Sequence, residues 1–397
     1  WPIAFVSGLL YGVVWGTLLA TFGSSVGALA HYYLSRKLVA PMSDRLRKKM
    51  PFIPARIAKV RRDQEQLWDH SLGCAIGAKS IGNFPPITKP IPKGKYVITI
   101  TNATDAAVTL NKYTVEAGKL LGWKMEALQA ESTLEGQRKT LEQAIAKKPD
   151  GIAVSGMETD SYGDLYKKAA AQGTAIICSA CMSKPGSGLI DSHVSGPKML
   201  DLWGQMIAAF TVANVKGTPN VQMFGLSVYP ILKRFDSAYA AYLKKLSPSS
   251  KTKYNELDFA TGVPQQVGNV YKANPGTNFV TSDLGDFFIG VPQGLFNVGA
   301  KPGSAPLIGG LTAGKDAIQT LKNKTTNAWT GYSLPIVGYS VIDSFARYFT
   351  KTPFANADLP TQILTQKNIG TANLTSKGDY LGVKDFQAQF KKVWGLK

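Results

Sequence analysis

Three polar clusters hold the side chains best placed to grip a small molecule: Thr101–Asp105, Glu131–Thr133 and Gly156–Asp160. Each follows a segment that reads as a β-strand, and open α/β sheets bind ligands at the carboxyl ends of their strands. Other reactive residue types offer less. Cys178-Ser-Ala-Cys181 has CxxC spacing. A redox or metal site would need an adjacent helix start or a second ligand pair, and neither is evident, which leaves a local disulfide or two unlinked thiols. Gly309–Lys315 matches the first seven positions of a phosphate loop and lies between a strand and a helix. The next residue is Asp316, a carboxylate that would repel phosphates where the loop needs a magnesium-binding hydroxyl, so the stretch reads as a turn. His31, His70 and His193 are scattered, and no GxSxG or HExxH motif occurs. An enzyme is therefore disfavoured, and no catalytic residue, metal or cofactor is assigned.

The segments that position these clusters alternate. Tyr96–Ile100 has strand periodicity, Ala107–Leu121 is a helix closed by Gly122, and Lys124–Ala130 is a second strand. Leu141, Ala144 and Ile145 form an apolar stripe at helical spacing. Lys147–Gly151 stops that helix, and Ile152–Val154 reads as a buried strand. Strand, helix, strand, helix, strand with short loops argues a doubly wound parallel sheet. The alternation continues. Helices are expected at 162–172, 198–215, 230–246, 265–273, 287–299, 315–322 and 335–349. Strands are expected at 174–178, 221–226, 256–260, 278–281, 306–308 and 326–330. Two halves, before and after about residue 195, imply two lobes of similar build.

At 397 residues the chain is long for one domain. The net charge is +19; residues 1–70 carry ten Lys/Arg against four Asp/Glu, leaving about +13 for the remainder. A basic surface attracts nucleic acid, anionic lipid or anionic solutes. No basic helix interleaved with aromatics, no helix-turn-helix pattern and no zinc spacing accompanies it, which argues against nucleic acid. Three cysteines make no disulfide framework in a chain of this size. Trp1 in place of Met reads as a fragment or a processed chain.

Residues 1–35 lack Asp, Glu, Lys and Arg, and the apolar run 3–34 exceeds the ~20 residues of one membrane helix. Gly8, Gly12, Gly16, Gly23 and Gly27 suit one span with a re-entrant turn, or one long tilted helix. A buried soluble helix is the plainer alternative. Ten basic residues follow between Arg36 and Arg62, with amphipathic segments at 43–50 and 55–68. Such a cluster faces the cytoplasm or sits on anionic headgroups. Leu72–Lys95 is rich in Gly, Pro and Lys and reads as a linker. Cys74 within it reads as incidental.

Gly8-Leu-Leu-Tyr-Gly12, Gly16, Gly23-Ser-Ser-Val-Gly27-Ala and Leu34-Ser-Arg36 resemble part of the DedA/VTT membrane-protein family over residues 1–62. The resemblance implies a re-entrant segment and the helix after it. The family's second re-entrant segment is not found. Residues 94–397 resemble the type I periplasmic solute-binding proteins, in the ribose and sugar-binding branch of ABC transporters. The matching stretches are Gly136–Gly156, Ile190–Gly196, Lys233–Tyr239, Val280–Asp286, Tyr332–Pro335 and Leu359–Asn368.

This second resemblance implies two doubly wound parallel sheets joined by a hinge, and the apolar run would place a helical membrane segment before them. The domains would be 1–70, a linker 71–93 and a binding domain 94–397. Lobe I would hold about 94–193 plus 335–352, and lobe II about 194–334 plus 353–397. It also implies hinge closure on a solute, with Asn102, Thr104, Asp105, Glu158, Asp160 and Ser179 from lobe I. Arg234, Asp283 and Asp286 would come from lobe II. Carboxylates and Arg suit a polyol, since each holds two adjacent hydroxyls. Asp105 and Asp160 also fit helix capping, and Arg234 a surface ion pair. Sugar-binding members usually carry an Asp in the turn where this chain has Leu311 and Thr312, and Met157 and Met182 lie by the cleft. A less hydroxylated, aromatic or acidic solute therefore stays open.

The reading is an extracytoplasmic receptor (periplasm or cell surface), membrane-associated through residues 1–35, that delivers a small solute to an ABC permease. The alternative is a DedA-type membrane protein with a ligand-sensing domain; an enzyme on the same two lobes is a third. A DNA-binding regulator would need a helix-turn-helix before Tyr96, where the apolar segment lies. With a single span, the basic stretch would place the binding domain in the cytoplasm. A re-entrant segment, an exception to the charge rule or an unnatural join resolves that conflict.

Overall fold

Val97, Ile98, Thr99 and Ile100 are buried without interruption inside the first strand, β1 (Tyr96–Thr101). A parallel strand covered by helices on both faces shows this pattern, whereas a half-exposed strand alternates. The computed structural model describes residues 79–312, 314–355 and 357–396. The apolar run 3–34, the DedA-like segment 1–62, the basic stretch 36–62 with its two helices, and Cys74 all lie outside the described residues. Among the described residues no helix is long and apolar enough to cross a membrane.

After β1 come α1 (Asp105–Leu120), β2 (Lys124–Gln129), α2 (Leu134–Ala146), β3 (Gly151–Ser155), α3 (Thr159–Ala171), β4 (Ala175–Ser179) and β5 (Leu189–Asp191). They form a parallel sheet in the order β2-β1-β3-β4-β5. Side-chain caps start two of its helices: Thr104 accepts from Ala107 N–H and Thr133 from Gly136 N–H. These hydroxyls belong to the polar clusters at the strand ends, so part of each cluster serves the helix.

The second sheet begins after α4 (Pro197–Asn214). It comprises β6 (Asn220–Gly225), α5 (Pro230–Leu246), β7 (Lys251–Glu256), α6 (Val263–Ala273), β8 (Phe279–Ser282), α7 (Val291–Asn297), β9 (Leu307–Gly310), α8 (Lys315–Lys322), β10 (Ala328–Tyr332) and β11 (Thr361–Thr365). Its order is β11-β10-β9-β8-β6-β7, parallel except for the antiparallel β10–β11 pair. Gly204 lets α4 approach α5 closely: a Cβ there would lie 2.7 Å from Tyr239 N and 2.8 Å from Phe235 O.

The helix α9 (Leu334–Thr350) follows β10 but packs on the first sheet's side. Gly338 rests on α1, where a Cβ would come within 2.7 Å of Thr114 N. The chain then returns to the second sheet as β11 and ends in α10 (Phe386–Val393).

Two segments depart from the expected division. Residues 353–397 were expected in lobe II, but α10 packs on α1 and α9. Tyr339 stacks on Trp394 at 5.7 Å, and Phe386 meets Tyr113 edge-on at 6.1 Å. The described part of the expected linker 71–93 is a strap on the same core. Ile81, Phe84 and Ile87 are buried. Ile87 N–H donates to Val393 O at 2.8 Å, and Arg347 Nη2 to Pro85 O at 2.6 Å. Its prolines suggest a spacer, but three apolar side chains at three-residue spacing offset the cost of ordering it.

Smaller differences have local causes. The strand expected at 256–260 lies at Lys251–Glu256. It is an edge strand with exposed Lys251 and Lys253, which keep it from pairing further and hide it from an apolar search. The helix expected at 287–299 is a 3₁₀ turn, Gly285–Phe288, followed by α7, with Gly290 at φ +77° between them.

Candidate functional site

A cavity of about 70 Å³ opens at the carboxyl ends of β1, β3 and β4. Thr99, Thr101, Ser155 and Ser179 come from the strands, Leu110, Asn111 and Thr114 from α1, Gln137 from α2 and Val341 from α9. Asn102 lies at its rim and Met157 on its wall. No ionisable side chain lines it. Its polar groups are amides and hydroxyls, which pair with the hydroxyls of a neutral solute, while Leu110, Met157 and Val341 supply apolar surface. Asn111 Oδ1 is buried without a hydrogen-bond partner among the described residues, so one acceptor is available there.

Neighbours fix the lining. Asn102 Oδ1 accepts from Thr104 N–H at 3.0 Å and from its hydroxyl at 2.8 Å. Gln137 Oε1 accepts from Tyr162 OH, and Gln137 Nε2 donates to Tyr229 OH at 3.5 Å. Burial, and then the neighbouring Tyr229, push the Tyr162 hydroxyl up to about 12, so it remains a donor.

The second lobe meets this rim at two places. Tyr229, from the loop after β6, donates to Ser132 O at 3.4 Å and passes Gly156, where a Cβ would lie 3.9 Å from its ring. Asp286, after β8, accepts from Ala106 N–H in the first turn of α1 at 2.8 Å. Burial raises Asp286 to about 6, with Ala106 N–H opposing and Asp105 and Asp316 adding. Beside it Lys315 Nζ donates to Asp105 Oδ1 at 3.1 Å. Lys315 also lies 3.5 Å from Asp379, which Lys112 of α1 reaches at 3.0 Å. The two lobes are therefore pinned by charge around the start of α1.

The expected site residues separate into three groups. Asn102 and Ser179 line the cavity. Thr104 caps α1, while Asp105 and Asp286 form interlobe contacts beside it. The others lie elsewhere. Glu158 is buried and accepts from Met182 N–H and Ser183 N–H, both at 2.7 Å, and from Ser183 OH at 2.6 Å, so it staples a loop. Asp160 is exposed in the first turn of α3. Arg234 pairs with Asp201 across α4 and α5 on the surface. Asp283 is fully buried and accepts from Leu226 N–H at 2.9 Å.

Sequence reasoning passed over Asn111, Thr114, Gln137 and Tyr229. The first three lie on helix faces, where helical spacing marks them only once the packing direction is known. Tyr229 precedes Pro230 at a helix start and gives no local sign that it reaches the other lobe.

The two weaker motifs are structural. Cys178 and Cys181 form a disulfide, both sulfurs buried beside Met157 O. Gly309 and Gly310 end β9, and Lys315 opens α8 and is taken by carboxylates. Thr312, near the place of the missing Asp, is buried and bonds to Tyr332 OH at 3.0 Å.

Residues 96–352 match the family model described as the periplasmic binding protein domain. The sequence matches none of the curated proteins. Among solved structures, the chain is similar to an ABC transporter solute-binding protein from Agrobacterium vitis bound to α-D-tagatopyranose. The TM-score is 0.61 at 18% identity, over 70% of this chain and 96% of that one. A carbohydrate transporter from Acidothermus cellulolyticus in complex with myo-inositol gives 0.58 at 14% identity, over 70% and 96%. A periplasmic ribose ABC transporter protein from Conexibacter woesei gives 0.59 at 14% identity, over 72% and 96%. At these identities the likeness concerns the fold alone.

Proposed function

The chain belongs to the periplasmic binding protein domain family, and from that premise we propose that it is the substrate-binding component of an ABC-type importer. It captures a small neutral solute, a sugar or related polyol, between its lobes and presents it to a permease outside the cytoplasm. The observation that carries this reading is the cavity at the strand ends of lobe I, lined by amides and hydroxyls and met at its rim by Tyr229 of lobe II. Its lining offers no cation to neutralise an acidic solute and no aromatic ring to stack on an aromatic one. The binding residues in this reading are Asn102, Asn111, Thr114, Gln137, Ser155 and Ser179. Asp105 and Asp286 act on closure rather than on the solute.

Hinge closure follows from the same geometry. A cavity of about 70 Å³ is smaller than the ~300 Å³ at which small-molecule pockets begin, so a solute enters only when the lobes part. The contacts that must break are polar and include Tyr229 to Ser132 and Gln137, Asp286 to Ala106, Lys315 to Asp105, and Lys112 to Asp379.

Thermal unfolding of the full chain against pentoses, hexoses, polyols, sugar acids and small aromatic acids tests the proposal. A bound solute at ~100 times its Kd adds about 2.7 kcal/mol of stability. Stabilisation confined to neutral hydroxylated members is expected. A shift with acidic or aromatic members alone would overturn the solute class.

A further inference from the structure

Asp236 of α5 and Asp283, the residue after β8, converge over Gly225 at the end of β6. A Cβ built on Gly225 would lie 2.2 Å from Asp283 Oδ2 and 3.2 Å from Asp236 Oδ2. Asp236 is 5% exposed and Asp283 0%. Leu226 N–H donates to Asp283 Oδ2 at 2.9 Å. Asp283 Oδ1 and both carboxyl oxygens of Asp236 have no hydrogen-bond partner among the described residues.

Among the described residues, the groups acting on the pair supply no positive charge. Glu256, at the end of β7, is a third carboxylate; it accepts from Ser227 N–H at 2.8 Å and from Tyr254 OH at 3.1 Å. Tyr254 is a neutral phenol, raised by burial and then by Asp236, Asp283 and Glu256. Arg234, on α5 with Asp236, is paired with Asp201 of α4. Burial, followed by repulsion from Asp283 and Glu256, pushes the Asp236 carboxyl far above its ordinary range. Burial likewise raises Asp283, with Leu226 N–H opposing and Glu256 adding. Two ionised carboxylates here would be desolvated, adjacent and without a counter-charge.

We propose that Asp236 and Asp283 hold a proton between them at neutral pH, forming a proton-binding site in lobe II. The site lies where two cleft-facing loops join. The Leu226–Asp283 bond ties the loop that carries Tyr229 to the loop that carries Asp286, and both reach lobe I. Loss of the proton sets like charges against each other at that joint. The pH of the surroundings thereby acts on the wall of the cleft.

The sign follows from the raised carboxyls. Unfolded Asp side chains lose their protons near pH ~4, whereas the folded pair keeps one. The stability the pair contributes is full below that value and is lost as pH rises towards the folded titration. Over this window the folding equilibrium constant falls about tenfold per pH unit for each retained proton.

Chemical unfolding of the full chain, without added solute, from about pH 5 to about pH 8 tests this. Asp236→Asn needs no proton, so its stability relative to wild type should climb about tenfold per pH unit. Asp283→Asn removes only the neighbouring charge and leaves Asp236 buried, so its relative stability should climb less steeply. Parallel pH profiles of wild type and both variants would overturn the proposal. So would stabilisation of wild type by sodium or calcium ions that removes the pH difference, because a cation would then occupy the site. If neither variant folds, infrared spectra of wild type decide. A protonated carboxylic acid band at neutral pH that disappears at alkaline pH is expected, and its absence would overturn the assignment. None of these readouts needs a solute, so failure of the solute-binding reading leaves the test intact.

Discussion

Replacing Arg347 by Met should cost about 4 kcal/mol of stability, within the range of about 3–5 kcal/mol for a broken buried ion pair. Arg347 and Asp343 lie one turn apart on α9, and each side chain is 1% exposed. Arg347 Nε donates to Asp343 Oδ2 at 2.5 Å, and its other nitrogens hold Pro353 O at 3.1 Å and Pro85 O at 2.6 Å. Trp394 Nε1 donates to Asp343 Oδ1 at 2.9 Å. The pair thus joins α9 to the strap before β1 and to the C-terminal residues. Methionine fills most of the volume but leaves a carboxylate with no cation and two carbonyls with no donor. Burial already raises Asp343, opposed by Arg347 and then by Trp394. Without the guanidinium it rises further, so the cost should be smaller near pH ~5 and grow by at most about 1.4 kcal/mol per pH unit above it. Urea unfolding, read as the midpoint shift at constant m, measures this. Adding Asp343→Asn to Arg347→Met removes the stranded charge, keeps an acceptor for Trp394 and should restore more than half of the loss. A loss under about 1 kcal/mol, or a double variant no better than the single one, would refute the reasoning.

Two further substitutions test the cleft. Glu158→Gln puts an amide nitrogen where a carboxylate oxygen accepts a backbone N–H, and should cost about 2–3 kcal/mol, the worth of a charged hydrogen bond. An unchanged urea midpoint would show that the 181–183 loop does not depend on this staple. Tyr229→Ala removes the lobe II side chain that meets Gln137 and Ser132, and should raise the dissociation rate of a solute found by the thermal panel about tenfold, or about 1.4 kcal/mol. Equal stopped-flow dissociation rates for variant and wild type would remove Tyr229 from the gate.

The α/β alternation from Tyr96 onward is readable because each strand is a short apolar run and each helix has its own stop, as at Lys147–Gly151. The stretches named for their resemblance at the expected crossings, Ile190–Gly196 and Tyr332–Pro335, run from β5 to α4 and from β10 into α9. The strap 79–93 and α10 escaped that reading. Their apolar residues, Ile81, Phe84, Phe386 and Phe390, have partners more than 200 positions away, and Phe84 meets Phe390 at 5.0 Å. Arg234 and Glu158 illustrate the same limit at single residues. Each has the right chemistry for a solute, yet Asp201 and the backbone of Met182 and Ser183 take their bonding capacity.

By itself the sequence determined the doubly wound class, the two halves and the stretches of chain that end at the cleft. Those properties follow from local periodicity and from the position of strand ends, which need no knowledge of distant contacts. Only the tertiary structure decided which polar groups face the cavity and which are spent on holding the protein together. A side chain's availability depends on partners brought by other elements, as Lys315 is brought to Asp105 and Asp283 to Asp236. The sequence lists donors, acceptors and charges; folding decides which of them are satisfied, and the unsatisfied remainder is what a solute or a proton can meet.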